Sequence, residues 1–118
     1  MKQQTLADGS FEKFRKKTRK EQFLDEMDTL IPWQQLTEAI EPFYPDPQGA
    51  GRRPIGIERM LRIQFLQHWF NLSDPAVEES LYDSRAMRTF VGIDLGQEPV
   101  PDETTICKFR HLMEEHNL

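Results

Sequence analysis

The side chains able to do chemistry are three histidines, one cysteine and twenty carboxylates in 118 residues. Their spacing argues against a catalytic centre. His68 falls on the apolar stripe of a helical pattern, where a buried or half-buried structural role is expected. His111 and His116 are five apart and point to different faces of a helix, which suits no common two-histidine metal motif. The acids come as neighbours: Glu78 with Glu79, Asp102 with Glu103, Glu114 with Glu115. Adjacent side chains on a helix diverge by about 100°, so such pairs do not converge on one metal. Gly49-Ala50-Gly51 runs into Arg52-Arg53-Pro54 and not into a phosphate-loop lysine. Cys107 has no obvious His/Asn pairing for a nucleophile and reads as inert packing. No catalytic residue and no metal site are expected.

Charge is the informative property, because it comes in blocks. Residues 1–20 carry seven Lys/Arg and two acids, a net +5. Residues 21–51 carry seven acids and no Lys/Arg. Residues 52–70 are net +3, and residues 71–118 are net −6, which leaves the chain at −5. Local potential steers association with a polyanion, so two basic blocks can serve an acidic protein. The plainer alternative for 13–20 is a solvated face or tail. One cysteine excludes an internal disulfide, and no run of 18 apolar residues suggests a membrane span. A polar start, Met1 to Gln4, does not resemble a signal peptide, and a cytoplasmic location is expected.

The elements that must position these groups are helical. Alternating strand patterns are absent, whereas apolar residues recur at helix spacing. Residues 1–17 read as a polar, basic lead-in, and 18–118 as one all-α domain. A first helix is expected from Thr18 to Ile31, with Phe23, Leu24, Met27, Leu30 and Ile31 apolar. Pro32 ends it and opens the next, whose stripe is Trp33, Leu36, Ile40 and Phe43. Proline and glycine then mark 45–56 as a linker. From Gly56 to Asn71 two apolar stripes predict a central helix packed from several sides, with Glu58, Arg59 and Arg62 on its exposed face. Asp74 can cap a short helix, with Val77, Leu81 and Tyr82 buried. Another spans Ser84 to Val91, with Arg85 and Arg88 outward, and Gly92 ends it. Gly96 to Pro101 is a loop. Asp102 caps a last helix with Ile106, Phe109 and Met113 inward, and Thr104, Lys108 and His111 on its polar face. The expectation is a compact bundle of about six helices.

Three short helices after a long one give the order of a helix-turn-helix module, which sets the N-terminal residues of one helix against base edges. Thr104, Thr105 and Lys108 are placed to do so. The gap of about ten residues before the last helix is longer than a tight turn.

Several runs carry a specific resemblance: Gly51-Arg52-Arg53-Pro54, Met60-Leu61-Arg62, Leu72-Ser73-Asp74, Glu78-Glu79-Ser80-Leu81-Tyr82-Asp83-Ser84, Arg88-Thr89-Phe90, Pro101-Asp102-Glu103-Thr104-Thr105 and Lys108-Phe109-Arg110-His111-Leu112. Over residues 19–118 the chain resembles the N-terminal domain of DDE transposases from bacterial insertion sequences of the InsH-like group. Met87 replaces a frequent aromatic, and Arg53 adds a charge before Pro54. The resemblance implies binding of double-stranded DNA at transposon terminal inverted repeats. It also implies cutting and joining by a metal-dependent acid triad in a separate domain, so that a divalent metal, Mg, is expected only there. The chain ends at Leu118, before such a domain is expected. No catalytic acid is carried onto Asp74, Asp83, Asp94 or Asp102, and no cofactor is expected for these residues.

The expected DNA contacts are Thr104, Thr105 and Lys108 for bases. Arg52, Arg53, Arg59, Arg62, Arg85, Arg88 and Arg110, with Lys13, Arg15, Lys16, Lys17, Arg19 and Lys20, are expected at phosphates. Four to six phosphate contacts predict a log–log salt slope of about −4 to −5. The alternative is a helical dimerisation or assembly domain, with Trp33, Phe43, Tyr44 and the acidic blocks forming a homo-oligomer interface or docking onto a catalytic domain.

Overall fold

In the computed structural model, residues 16–45 and 55–118 are described. Lys13, Arg15, Arg52 and Arg53, together with most of the lead-in and of the 45–56 linker, lie outside them. Six α-helices and one 3-10 turn form an all-α bundle, and no strand occurs among the described residues.

Helix α1 (Arg19–Leu30) starts where Thr18 Oγ1 accepts the Glu21 amide at 3.1 Å. Pro32 breaks the chain into α2 (Trp33–Ile40), which tightens into a 3-10 turn over Glu41–Phe43, with Pro42 inside it. Helix α3 (Ile57–Phe70) buries Met60, Leu61, Ile63 and Leu66 and ends at Asn71, a left-handed residue with φ 54°. Asparagine tolerates that conformation better than most side chains. Helix α4 (Asp74–Asp83) is capped by Ser73, whose hydroxyl accepts the Ala76 amide at 3.2 Å. This corrects the expectation that Asp74 caps: Asp74 is the first helical residue, and its carboxylate is used elsewhere. Ser84 alone joins α4 to α5 (Arg85–Val91) and caps the latter. Gly92, at φ +86°, closes α5 as expected; a Cβ there would be strained. Asp102 caps α6 (Glu103–Glu115) by accepting the Thr105 amide at 2.8 Å.

Helix α3 is the axis, in contact with α2, α4, α5 and α6. The core holds Leu24, Ile40, Val77, Leu81, Met87, Ile106, Phe109 and Met113 beside the α3 residues. Each full burial of such a side chain is worth roughly 1.5–3 kcal/mol. Phe23, Trp33, Phe65, Trp69 and Phe90 form an aromatic cluster, mostly edge-on, with ring centroids 5.2–5.8 Å apart. Not every residue expected in the core is buried. Tyr82 is 46% exposed and does not join the core. The loop before α6 is anchored, because Ile93, Val100 and Pro101 are buried.

Side-chain pairings fix the helix directions. Lys20 lies 5.3 Å from the Phe70 ring and Phe23 packs on Phe70, while Asp28 pairs with Arg62. Helix α1 is therefore antiparallel to α3. Phe90 and Gly92 give their carbonyls to Arg62 and Arg59, so α5 ends near the start of α3 and runs beside α1 in the same direction. Arg110 reaches Asp74, and Glu103 reaches Glu78, so α6 is antiparallel to α4.

Candidate nucleic-acid interface

The cations divide into those the fold consumes and those it leaves to solvent. Arg62 is the most committed. Its guanidinium carbon lies 4.2 Å from the Trp33 ring and 5.0 Å from Phe90. Its nitrogens reach Asp28 at 2.7 Å, Glu58 at 3.0 Å and the Phe90 carbonyl at 2.8 Å. Only 12% of the side chain is exposed. The expected outward face of α3 is thus largely covered at this position. Arg59 pairs with Glu98 and donates to the Gly92 carbonyl at 2.8 Å. Arg88 donates to the carbonyls of Leu81 and Tyr82 at 2.8 and 2.6 Å, which ties α5 to the end of α4.

Arg110 completes the set. It donates to Asp74 at 2.7 Å, and Asp74 also accepts from Gln67 at 2.8 Å. The Arg110 hydrogen bond holds the Asp74 carboxyl below its usual range, against the opposing effect of burial, with the Gln67 bond and the Arg110 charge adding to the lowering. Reciprocally, the bond from Asp74 and its charge raise Arg110. The pair joins α4, α6 and, through Gln67, α3.

The free cations converge elsewhere. Lys16, Arg19 and Arg85 are exposed, with no hydrogen bond or ion pair to the described residues. Lys20 is exposed over Phe70. Lys17 pairs with Asp25 at 2.5 Å, yet both side chains stay more than half exposed. Because α1 and α5 run in parallel, their starts lie at the same end of α3. Glu21 and Ala86 line one small cleft there, placing Lys20 and Arg85 on neighbouring helices. Sequence reasoning missed this convergence; only the parallel packing of two helices separated by 54 positions produces it.

The start of α6 lies at the other end of α3. Ile55, Arg59 and Met60 share a cleft with Thr105, Lys108 and Phe109. Thr104 and Lys108 are exposed, as expected, whereas Thr105 is half-buried. Their surroundings are acidic: Glu103 and Asp102 precede them, and the Glu78 carboxylate accepts the Glu103 amide at 2.7 Å. In helix-turn-helix terms the tight junction lies between α4 and α5, and eleven residues, 92–102, separate α5 from α6.

Other candidates also find their places. His68 is exposed, not buried, because it falls on the side of α3 that faces an open groove. Cys107 Sγ lies 3.8 Å from His111 Nε2 and 3.7 Å from an Arg110 nitrogen on the same helix. No group of three or more His, Cys, Asp or Glu residues able to hold a metal occurs among the described residues. The aromatic set expected at an assembly surface is largely used internally. Trp33 is buried and donates to the Asp28 carbonyl at 3.0 Å. Tyr44 donates to the Ile55 carbonyl, and burial raises its hydroxyl pKa. Phe43 stacks on His116 at 4.1 Å. No helix of the described residues is long and apolar enough to cross a membrane.

No solved structure matches the chain. Residues 12–112, which include all six helices down to the last turn of α6, match the family described as transposase domain (DUF772). With that match spanning most of its length, the chain belongs to this transposase domain family.

Proposed function

We propose that the domain binds double-stranded DNA at the terminal inverted repeats of an insertion sequence, in the cytoplasm of a bacterium, and contributes no catalytic acid. The observation that carries this reading is the gathering of unpaired cations at one end of the bundle: Lys16, Arg19, Lys20 and Arg85. Phosphates supply most of the sequence-independent affinity for a duplex, and solvated Lys and Arg can contact them without first breaking an internal bond. The four half-buried arginines hold the fold, so the phosphate set is smaller than the sequence suggests. Thr104 and Lys108 are the base-reading candidates, since a base-reading helix offers exposed side chains in its first turns.

A gel-shift titration with terminal-repeat duplex tests this. Four phosphate contacts give a log–log salt slope of about −4, from about −0.9 per contact. An affinity unchanged between low and high salt would reject the phosphate role. The assembly alternative has less to rest on, because Trp33 and Tyr44 are occupied within the bundle. Dimerisation without any selectivity for terminal-repeat DNA would revive it.

A further inference from the structure

Helices α1 and α5 pack side by side in parallel, and their starts carry the free cations Lys16, Arg19, Lys20 and Arg85. Phosphate contacts from such residues position a duplex but do not read its sequence. The start of α6, with Thr104 and Lys108, lies at the other end of α3, a helix of 14 residues and about 21 Å. Base pairs flanked by the free cations are out of its reach, so any reader of them belongs to α1 or α5.

One side chain there has the chemistry. From Lys16 to Gln22 the chain offers four cations, Thr18, Glu21 and Gln22. Thr18 spends its hydroxyl oxygen on the Glu21 amide, and Glu21 is half-buried in the cleft against α5. Gln22 is exposed, one turn into α1, and its carboxamide makes no hydrogen bond among the described residues. Leu24 and Met27 turn toward the core, which leaves Gln22 on the opposite side of α1, a surface neighbour of Arg19 three positions before it. The acids on this side lie behind it: Asp25, paired with Lys17, and Glu26. A carboxamide presents a donor beside an acceptor, the set that matches the N7 and N6 edge of adenine in the major groove. Thr89 of α5 is also exposed, but a single hydroxyl one turn behind Arg85 offers no such two-bond fit. The sizes agree. A helix with its side chains is about 10–12 Å across and the major groove about 12 Å wide, so one helix enters and its neighbour does not. With helix axes about 8–10 Å apart, α5 then lies at the edge of the groove, where Arg85 meets a phosphate.

We propose that Gln22 is a specificity-determining residue: the start of α1 enters the major groove, and Gln22 reads an adenine between phosphates held by Arg19 and Arg85. This rests on the DNA-binding reading above. The test binds the full chain to a pool of duplexes of randomised sequence and sequences the bound fraction. The parent should enrich an adenine at one position that Gln22→Ala no longer enriches. The other enriched positions and the salt slope of about −4 should persist in the variant. Alanine is the better helix former at this exposed site, so the variant folds. Replacing that adenine by 7-deazaadenine, which lacks the N7 acceptor, should weaken the parent about tenfold and leave the variant unaffected. Identical enrichment in parent and variant, uniform weakening on every duplex, or equal sensitivity of both to 7-deazaadenine would each overturn the proposal while leaving DNA binding in place. A parent that binds no duplex would overturn both.

Discussion

Arg62 and Arg85 sit on two helices, α3 and α5, that pack against each other, yet they do opposite work. Arg62 is shut beneath two aromatic rings and holds three separate elements together. Arg85, at the first turn of α5, stands in solvent without a partner. The same side-chain chemistry thus becomes a structural rivet or a surface charge according to what its neighbours offer. A guanidinium taken out of water must be paired and hydrogen-bonded, and Asp28, Glu58 and the Phe90 carbonyl provide for this at Arg62. No such set surrounds Arg85. A basic residue in this bundle is therefore available to a polyanion only where the fold has left its charge unanswered.

Four substitutions can break or sharpen that contrast. Arg62→Ala should be the most damaging, destabilising the fold by about 2–3 kcal/mol, because it removes two cation–π contacts, the hydrogen bond to the Phe90 carbonyl and the ion pairs to the half-exposed Asp28 and Glu58 together. Urea unfolding measures it, and a loss under 1 kcal/mol would erase the distinction between the two arginines. Lys108→Ala should leave unfolding unchanged but cost about 1–2 kcal/mol of discrimination between terminal-repeat and scrambled duplex. An equal loss on both sequences would move Lys108 to the phosphate group.

Asp74→Asn should cost about 1 kcal/mol at pH 7. Arg110 holds the native carboxyl below its unfolded pKa of 3.8, so the charged pair stabilises above that value and its contribution fades as pH falls through the lower native one. The gap between parent and variant should therefore close on acidification below about pH 4. A gap that stays constant to the lowest pH would show that the charge does not matter there. The smallest effect is that of Arg85→Ala, with stability unchanged within about 0.5 kcal/mol and the salt slope of DNA binding reduced by ~1. An unaltered slope would remove Arg85 from the interface.

The helices were legible in the sequence because each carries its own signals. Thr18, Ser84 and Asp102 mark starts, Pro32 and Gly92 mark stops, and period-3.6 stripes run between them. The fate of the arginines was not legible. Glu58 and Arg62 show as an i, i+4 pair, but Asp28 is 34 positions away from Arg62, and Asp74 is 36 away from Arg110. Glu98 meets Arg59 across 39. Pairings over such separations depend on which helices meet and in which direction, and no local pattern encodes that. Exposure failed in the same way for His68 and Tyr82. Each lies on or beside an apolar stripe, yet His68 faces an open groove and Tyr82 stands 46% exposed.

The Tyr44 hydroxyl, bonded to the Ile55 carbonyl, clasps the chain on either side of the nine residues 46–54. The two ends of that stretch are thus held to each other by the described residues themselves. Doubling such a connection adds only about 0.6 kcal/mol of closure entropy. This is a place where an epitope tag or a reporter peptide can be spliced in while the helices keep their register.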